Sequence, residues 1–313
     1  MSPSKPSPQS PQHRRRYVVA GQAVEAPALA GGLYLVATPI GNLRDTTLRA
    51  LEILAACDLI ACEDTRVTRK LTDHFGIATP LTPYHDHNAD TARPKILQKL
   101  TAGGSVALVS DAGTPLISDP GYKLVRAARA AGHAVTAAPG ASAVLAALSV
   151  AGLPTDRFFF EGFLPAREAA RRTRVAELAR VPGTLVLFET GPRLAATLAD
   201  LAAGLGARDA AVCRELTKLH EEVRRDTLGK LAETYAKGAE IRGEIVVVIS
   251  PPPQSVQPTA AEIDDLLHAA LTRVSLKDAV AEVAAATGES RRAVYARALE
   301  LTRESPDGAP PAR

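Results

Sequence analysis

Ser110-Asp111-Ala112-Gly113-Thr114-Pro115, with Ser118-Asp119-Pro120-Gly121 just beyond it, is the stretch that decides the fold. It follows Ser105–Val109 (SVALV), an apolar run that reads as a buried strand. The loop holds two acids, two glycines and two prolines. Pro fixes φ, Gly permits positive φ, and Ser and Asp bind nearby backbone donors, so the composition describes a shaped turn. Open α/β sheets hold ligands in such loops, at the carboxyl ends of parallel strands. An ordinary strand-to-helix turn uses similar residues, and two further stretches bear on the choice. Ala37-Thr38-Pro39-Ile40-Gly41-Asn42-Leu43 follows the strand-like Leu33–Val36, and Glu63-Asp64-Thr65-Arg66 follows Asp58–Cys62. Helical spacing comes after the first loop (Leu48, Leu51, Leu54) and after the third (Leu124, Val125, Ala128). The repeat is βα, which implies a mostly parallel sheet with its loops gathered along one edge.

Worked outward, this gives an α/β unit over 32–150. Ala151-Gly152-Leu153-Pro154 is a natural joint. A second α/β unit follows over 151–250, with strands expected at Arg157–Phe163, Thr184–Glu189, Ala210–Leu216 and Glu244–Ser250. Residues 251–258 read as a stiff Pro-rich linker. A helical module over 259–304 opens on two capping boxes, Thr259–Glu262 and Ser275–Asp278, and Gly288 can end one helix where Ser290 caps the next. This resembles a helix-turn-helix, although Asp264, Asp265, Glu282, Glu289 and Glu300 offset Arg291, Arg292 and Arg297. It could contact nucleic acid or serve as a docking or dimer-supporting appendage. The tails, 1–31 (rich in Pro and Ser, with Arg14-Arg15-Arg16) and 305–313, read as disordered.

The 313 residues are 46% hydrophobic, enough to bury a sizeable core. Net charge is only +3, from 37 basic and 34 acidic residues, so any nucleic-acid contact must come from local clusters. Three cysteines, Cys57, Cys62 and Cys213, make neither a disulfide framework nor a zinc set and suit a reducing cytoplasm. No run approaches the ~20 apolar residues of a membrane span, and Gln22, Glu25 and Pro27 interrupt what would be a signal peptide's core. The Walker loop, G-x-G-x-x-G and H-E-x-x-H are all absent.

Four segments in order, ATPIGNLRDTTLRAL (37–51), ACEDTRVT (61–68), SDAGTPLISDPG (110–121) and APGASAVLAALSVAGLP (138–154), resemble the tetrapyrrole (corrin/porphyrin) methylase superfamily. Within it, the chain is most similar to the ribosomal RNA small-subunit methyltransferase I group, over about Gly32 to Glu304. The resemblance implies two α/β domains with a cofactor cleft between them, S-adenosylmethionine as cofactor, and a homodimer. The implied reaction is 2′-O-methylation of the decoding-site cytidine numbered 1402 in 16S rRNA of the small ribosomal subunit. It also implies that Pro39 and Gly41 shape the cleft and that Ser110, Asp111, Ala112 and Gly113 contact the methionine and ribose part. Ser142 and Ala143, with Phe188 and Gly243–Ile245, would close around the ligand. Tetrapyrrole-methylating relatives carry Gly-Gly-Asp-Pro where this chain has Ser-Asp-Ala-Gly-Thr-Pro, which turns the expected substrate from tetrapyrrole toward RNA. A small-molecule or diphthine-like methylase, or a cofactor-sensing regulator, are the alternatives.

Methyl transfer to a hydroxyl is an in-line displacement in which positioning supplies much of the rate and a base adds ~10²–10⁴-fold. Glu63 or Asp64 is the candidate base or ribose anchor and Arg66 the candidate phosphate contact; the same residues could form a helix-capping ion pair. Tyr84-His85-Asp86-His87-Asn88 reads as a substrate-facing loop, with His87 and Asn88 toward RNA, rather than as a metal site. Arg167, Arg171 and Arg174 fall on one helical stripe and, with Arg172, are expected to meet a phosphate backbone, unless they are simply a solvated face. Arg214, Lys218 and His220 are weaker candidates of the same kind.

Overall fold

The computed structural model describes residues 15–237, 241–253 and 259–304. It divides into two compact units, 1–252 and 253–313.

The first unit opens with a hairpin, β1 (Arg16–Val19) and β2 (Gln22–Glu25), paired antiparallel around Ala20 and Gly21 at φ 49° and 78°. This corrects the expectation of a disordered tail over 1–31 for the part that is described, 15–31. Tyr17 is buried with Leu54 and Phe75 in one apolar cluster, and Val18 N donates to Phe75 O (2.7 Å). One buried aromatic and a two-residue turn are too short a signal to stand out beside Arg-rich sequence. Residues 1–14, Arg14 included, lie outside the described residues, as do 305–313.

Next come β3 (Gly32–Val36), α1 (Leu48–Ala56), β4 (Leu59–Cys62), α2 (Thr65–His74), β5 (Leu81–Pro83), α3 (Ala89–Thr101), β6 (Ser105–Val109), α4 (Tyr122–Ala130) and β7 (Val135–Ala138). The sheet order is β5-β4-β6-β3-β7, and every pairing is parallel. Central β6 is buried at every residue, as a strand covered on both faces must be. Helix starts follow sequence-local capping: Thr47 Oγ1 accepts from Ala50 N (3.1 Å) and Asp64 Oδ1 from Arg66 N (2.8 Å).

The second sheet is built from β8 (Phe158–Phe163), β9 (Thr184–Thr190), β10 (Asp209–Arg214), β11 (Glu222–Thr227) and β12 (Glu244–Ile249). Its order is β11-β10-β12-β9-β8; only β8 and β9 run parallel. Three helices, α6 (Glu168–Leu178), α7 (Gly191–Leu205) and α8 (Leu228–Ala236), pack on it through Leu178, Leu194, Leu198 and Leu231.

One boundary moves. The expected 32–150 domain includes the residues that form helix α5 (Ala143–Ala151), but the buried face of this helix (Val144, Ala147, Leu148, Ala151) packs with Val186, Ala211 and Val248 of the second sheet. The chain therefore crosses between halves before Ser142, not at Ala151–Pro154. Ile40, from the loop after β3, lies in the same cluster.

In the second unit, α9 (Ala260–Leu271), α10 (Leu276–Thr287) and α11 (Arg291–Glu304) share a core that includes Leu267, Ala279, Val283, Val294 and Ala298. The Thr259–Glu262 capping box is complete, Ser275 caps α10, and Gly288 ends it in the left-handed region (φ 74°). Arg297 is tied to Asp264 through two 2.7 Å bonds, which removes it from the expected basic surface. The linker residues 254–258 lie outside the described residues.

Candidate active site

The loops leaving β3 and β6 are locked together before any ligand is considered. Thr38 N donates to Gly113 O (2.9 Å), Gly113 N to Thr38 O (3.0 Å), and Thr38 Oγ1 to Ser110 O (3.2 Å). Ser110 is buried, its Oγ 3.2 Å from Ala112 O. Asp111 Oδ1 accepts from Asp64 N (3.0 Å), tying the β4–α2 loop to the β6–α4 loop. Loop geometry is thus fixed by backbone pairing together with the side chains of Thr38, Ser110 and Asp111, as a rigid ligand shelf requires.

Between this edge and the second sheet lies a cavity of about 390 Å³, within the range of small-molecule sites. From the first half, Ile40, Asp111, Ala112 and Gly113 line it; from the second, Phe163, Phe188, Glu189 and Leu216; and Ser142 and Ala143 contribute from the start of α5. Gly243, Glu244 and Ile245 complete the wall. Of the residues expected to contact or close around the cofactor, Asp111, Ala112, Gly113, Ser142, Ala143, Phe188 and 243–245 line this cavity. Pro39, Gly41 and Ser110 do not line the cavity. Gly41 sits at φ 148°, where a Cβ would meet Lys218 Cγ at 2.4 Å, so its lack of a side chain lets the second half approach. Lys218 itself is held by Glu215 Oε1 and Glu244 Oε2, each at 2.8 Å.

Sequence reading missed Ile40, Thr114, Asp119, Phe163, Glu189 and Leu216. Asp119 carries a signal in sequence, as the second acid of the 110–121 loop. Glu189 ends a buried strand, and its role depends on partners brought by the fold: Oε1 accepts from Thr190 N (2.7 Å) and Oε2 from Thr197 Oγ1 (2.6 Å).

The wall is apolar and acidic. Burial raises the carboxyl pKa of Asp119, and the neighbouring Asp111 charge adds to it against a hydrogen bond from Ser110. Glu63 is raised the same way, by burial and then by Asp111 and Asp119. Asp64 is the opposite case. Arg66 grips it through Nε (3.0 Å) and Nη2 (2.6 Å) and holds it at about 2, so the pair forms the helix-capping ion pair that was the competing expectation. The Cys213 thiol in the wall is pushed up to about 11 by burial and is no nucleophile. Among the described residues, no group of three or more His, Cys, Asp or Glu could hold a metal ion.

Two comparisons give the family. Residues 32–232 match the tetrapyrrole (corrin/porphyrin) methylases, and 257–302 match the RsmI C-terminal HTH domain. The chain is 49% identical over 292 residues to a ribosomal RNA small subunit methyltransferase I of Mesorhizobium japonicum, covering 93% of this chain and 99% of the relative. The chain belongs to the ribosomal RNA small subunit methyltransferase I family. An Escherichia coli O157:H7 member is 45% identical over 273 residues, covering 86% of this chain and 95% of its own. Among solved structures, diphthine synthase (TM-score 0.55, 16% identity, 70% of this chain and 89% of that one) and cobalt precorrin-4 methyltransferase (0.53, 17%, 70% and 94%) share the fold.

The structure corrects the expected arginine stripe. Arg171 is buried, with Nε on Asp200 Oδ2 (2.7 Å) and Nη1 on Ala166 O (3.2 Å). Arg172 takes the other Asp200 oxygen (2.8 Å) and Glu168 (2.7 Å). Arg174 pairs bidentately with Glu161 (2.6 and 2.7 Å). Helical spacing places Arg167, Arg171 and Arg174 on one face, but Asp200 of α7 claims Arg171 and Glu161 of β8 claims Arg174, and neither acid is visible to spacing along α6. Arg167 remains exposed. His87 is exposed, whereas Asn88 holds its own loop, accepting from His85 N (2.9 Å) and donating to Pro83 O (3.0 Å).

Proposed function

We propose that this chain uses S-adenosylmethionine to methylate the ribose 2′-hydroxyl of a cytidine in 16S rRNA, the decoding-site residue implied by its motifs. The observation that carries the reading is the cleft. Asp111, Asp119, Glu189 and Glu244 stand in a wall that also offers apolar side chains and the hydroxyls of Thr114, Ser118, Ser142 and Thr190, a setting that suits a sulfonium cation carried on a nucleoside. Ile40, Leu216 and Val246 offer a dry floor for adenine. RNA phosphates would stay on the solvent side, where Arg167, Arg69 on α2, Lys123 and Arg126 on α4, and His87 in the loop after β5 are exposed, as is Arg66 in its pair with Asp64.

When bound, the cofactor supplies the electrophilic methyl group. The chain's own contribution is to align oxygen, carbon and sulfur and to take the hydroxyl proton. Asp119 is the better base, because it lines the cavity, where Glu63 does not, and its raised pKa brings it nearer the task; the Asp64–Arg66 pair caps α2. Two readings accompany this one. β8 is an edge strand with Phe158 and Phe159 exposed, which supports a homodimer. Free buried cysteines support a reducing cytoplasm.

The test is to incubate the protein with radiolabelled S-adenosylmethionine and small ribosomal subunits from cells lacking this activity, then digest the RNA to nucleosides. Label in 2′-O-methylcytidine is the expected result. Cofactor binding without RNA label would redirect the reading to a small-molecule acceptor.

A further inference from the structure

Four of the six phenylalanines occupy one strand, β8, and one of them is placed by a break in that strand. Phe160 and Phe163 are three residues apart, so regular pleating would send them to opposite faces. Both nevertheless meet Phe188 edge-on, at 4.8 Å and 5.6 Å between ring centroids. The cause is a register shift between Phe160 and Gly162, with Gly162 at φ 76°: the bulge turns the strand's end over and delivers Phe163 to the cavity.

Phe163 is also 51% exposed while lining that cavity, and Phe188 fixes its ring from the side. Gly162 makes room for the loop of the first half, since a Cβ there would lie 3.1 Å from Ser118 Oγ. That loop holds Leu116 and Ser118 in the left-handed region (φ 74° and 64°) and presents Ile117, 42% exposed, to the same cavity. Two half-exposed apolar side chains, one from each half, thus stand on the lining apart from the buried floor. A braced aromatic with a free face suits a flat heteroaromatic ring.

We propose that Phe163, aided by Ile117, is the platform on which the nucleobase of the methyl-accepting nucleotide stacks once it leaves the RNA. The inference rests on the RNA reading above. In that reading the buried floor takes the cofactor's adenine and half-exposed Phe163 is left for the base of the accepting nucleotide, whose 3′-phosphate stays on the solvent side.

The chain contains no tryptophan, which makes F163W a single-indole reporter in the full-length protein. Its fluorescence is followed on adding S-adenosylhomocysteine, then a small-subunit RNA fragment carrying the accepting cytidine, then the same fragment abasic at that nucleotide. Quenching by the intact fragment but not by the abasic one is expected. In turnover, F163L should raise the RNA KM by about five- to 150-fold, from the loss of one base stack, with a smaller change in the cofactor KM; F163Y should restore it. Quenching by S-adenosylhomocysteine alone would assign the ring to the cofactor and overturn the proposal. Equal quenching by both fragments, or an unchanged KM in F163L while the wild type methylates RNA, would overturn it too. A wild type that neither binds nor methylates the RNA would bring down the parent reading itself, a distinct result.

Discussion

Replacing Arg171 by Ala separates a structural arginine from a phosphate contact. The side chain sits between α6 and α7 at 8% exposure against Asp200 at 5%. Burial pushes the Asp200 carboxyl up, but hydrogen bonds from Arg172 and Arg171 outweigh it and hold it below the usual range. Removing one member of a buried pair typically costs ~3–5 kcal/mol. Arg172 still holds the second oxygen at 2.8 Å, so the low end applies, about 3 kcal/mol. At roughly 2–4 °C per kcal/mol for a unit of this size, Tm should fall by about 6–12 °C. Thermal unfolding followed by circular dichroism measures this, and RNA affinity measured well below the transition should match wild type. Arg171→Met combined with Asp200→Leu should recover most of the loss, since no buried charge is then left alone. A Tm within about a degree of wild type, together with weakened RNA binding, would refute the reasoning and return Arg171 to the RNA surface.

Asp119→Asn should lower kcat by ~10²–10⁴ with a smaller effect on cofactor Kd. Because the base acts deprotonated and its pKa is raised, wild-type kcat should climb with pH through a value above the usual carboxylate range, and the variant should lose that limb. Asp64→Asn, which removes only the Arg66 pair, should leave turnover near wild type in the same assay. Gly191→Ala would drive a Cβ to 1.7 Å from the Ile241 carbonyl oxygen; little folded protein is expected by size-exclusion chromatography. Thr259→Ala should remove ~1 kcal/mol from the C-terminal unit through the lost cap, seen as a lower urea midpoint for 253–313.

The parallel sheet was legible because each of its strands β3, β4 and β6 is an apolar run that stops at Gly, Pro or acid, and such punctuation is local. The helical unit was legible for the same reason, down to its caps. What escaped depends on pairing between distant residues. Asp200 captures Arg171 across 29 positions and Glu161 captures Arg174 across 13, so two of the three stripe arginines expected to meet phosphate are neutralised and Arg167 alone of them stays exposed. The bulge at Gly162 has no marker beyond the glycine, so Phe163 read as one more apolar residue. β11, with Glu222, Arg224, Arg225 and Asp226 within its six residues, carries too much charge to announce a strand.

The crossing of α5 bears on where this protein can be cut. A truncation after Pro154, where the chain advertises its joint, would leave the first fragment carrying Val144, Ala147 and Leu148 with no sheet to cover them, and the second with a bare core at Val186, Ala211 and Val248. Neither piece would be expected to stay monomeric or soluble when produced alone. A protease nick within 152–154 should leave the fragments clinging together, able to recombine as a split protein, and any genetic fusion of foreign halves must carry α5 with the downstream partner.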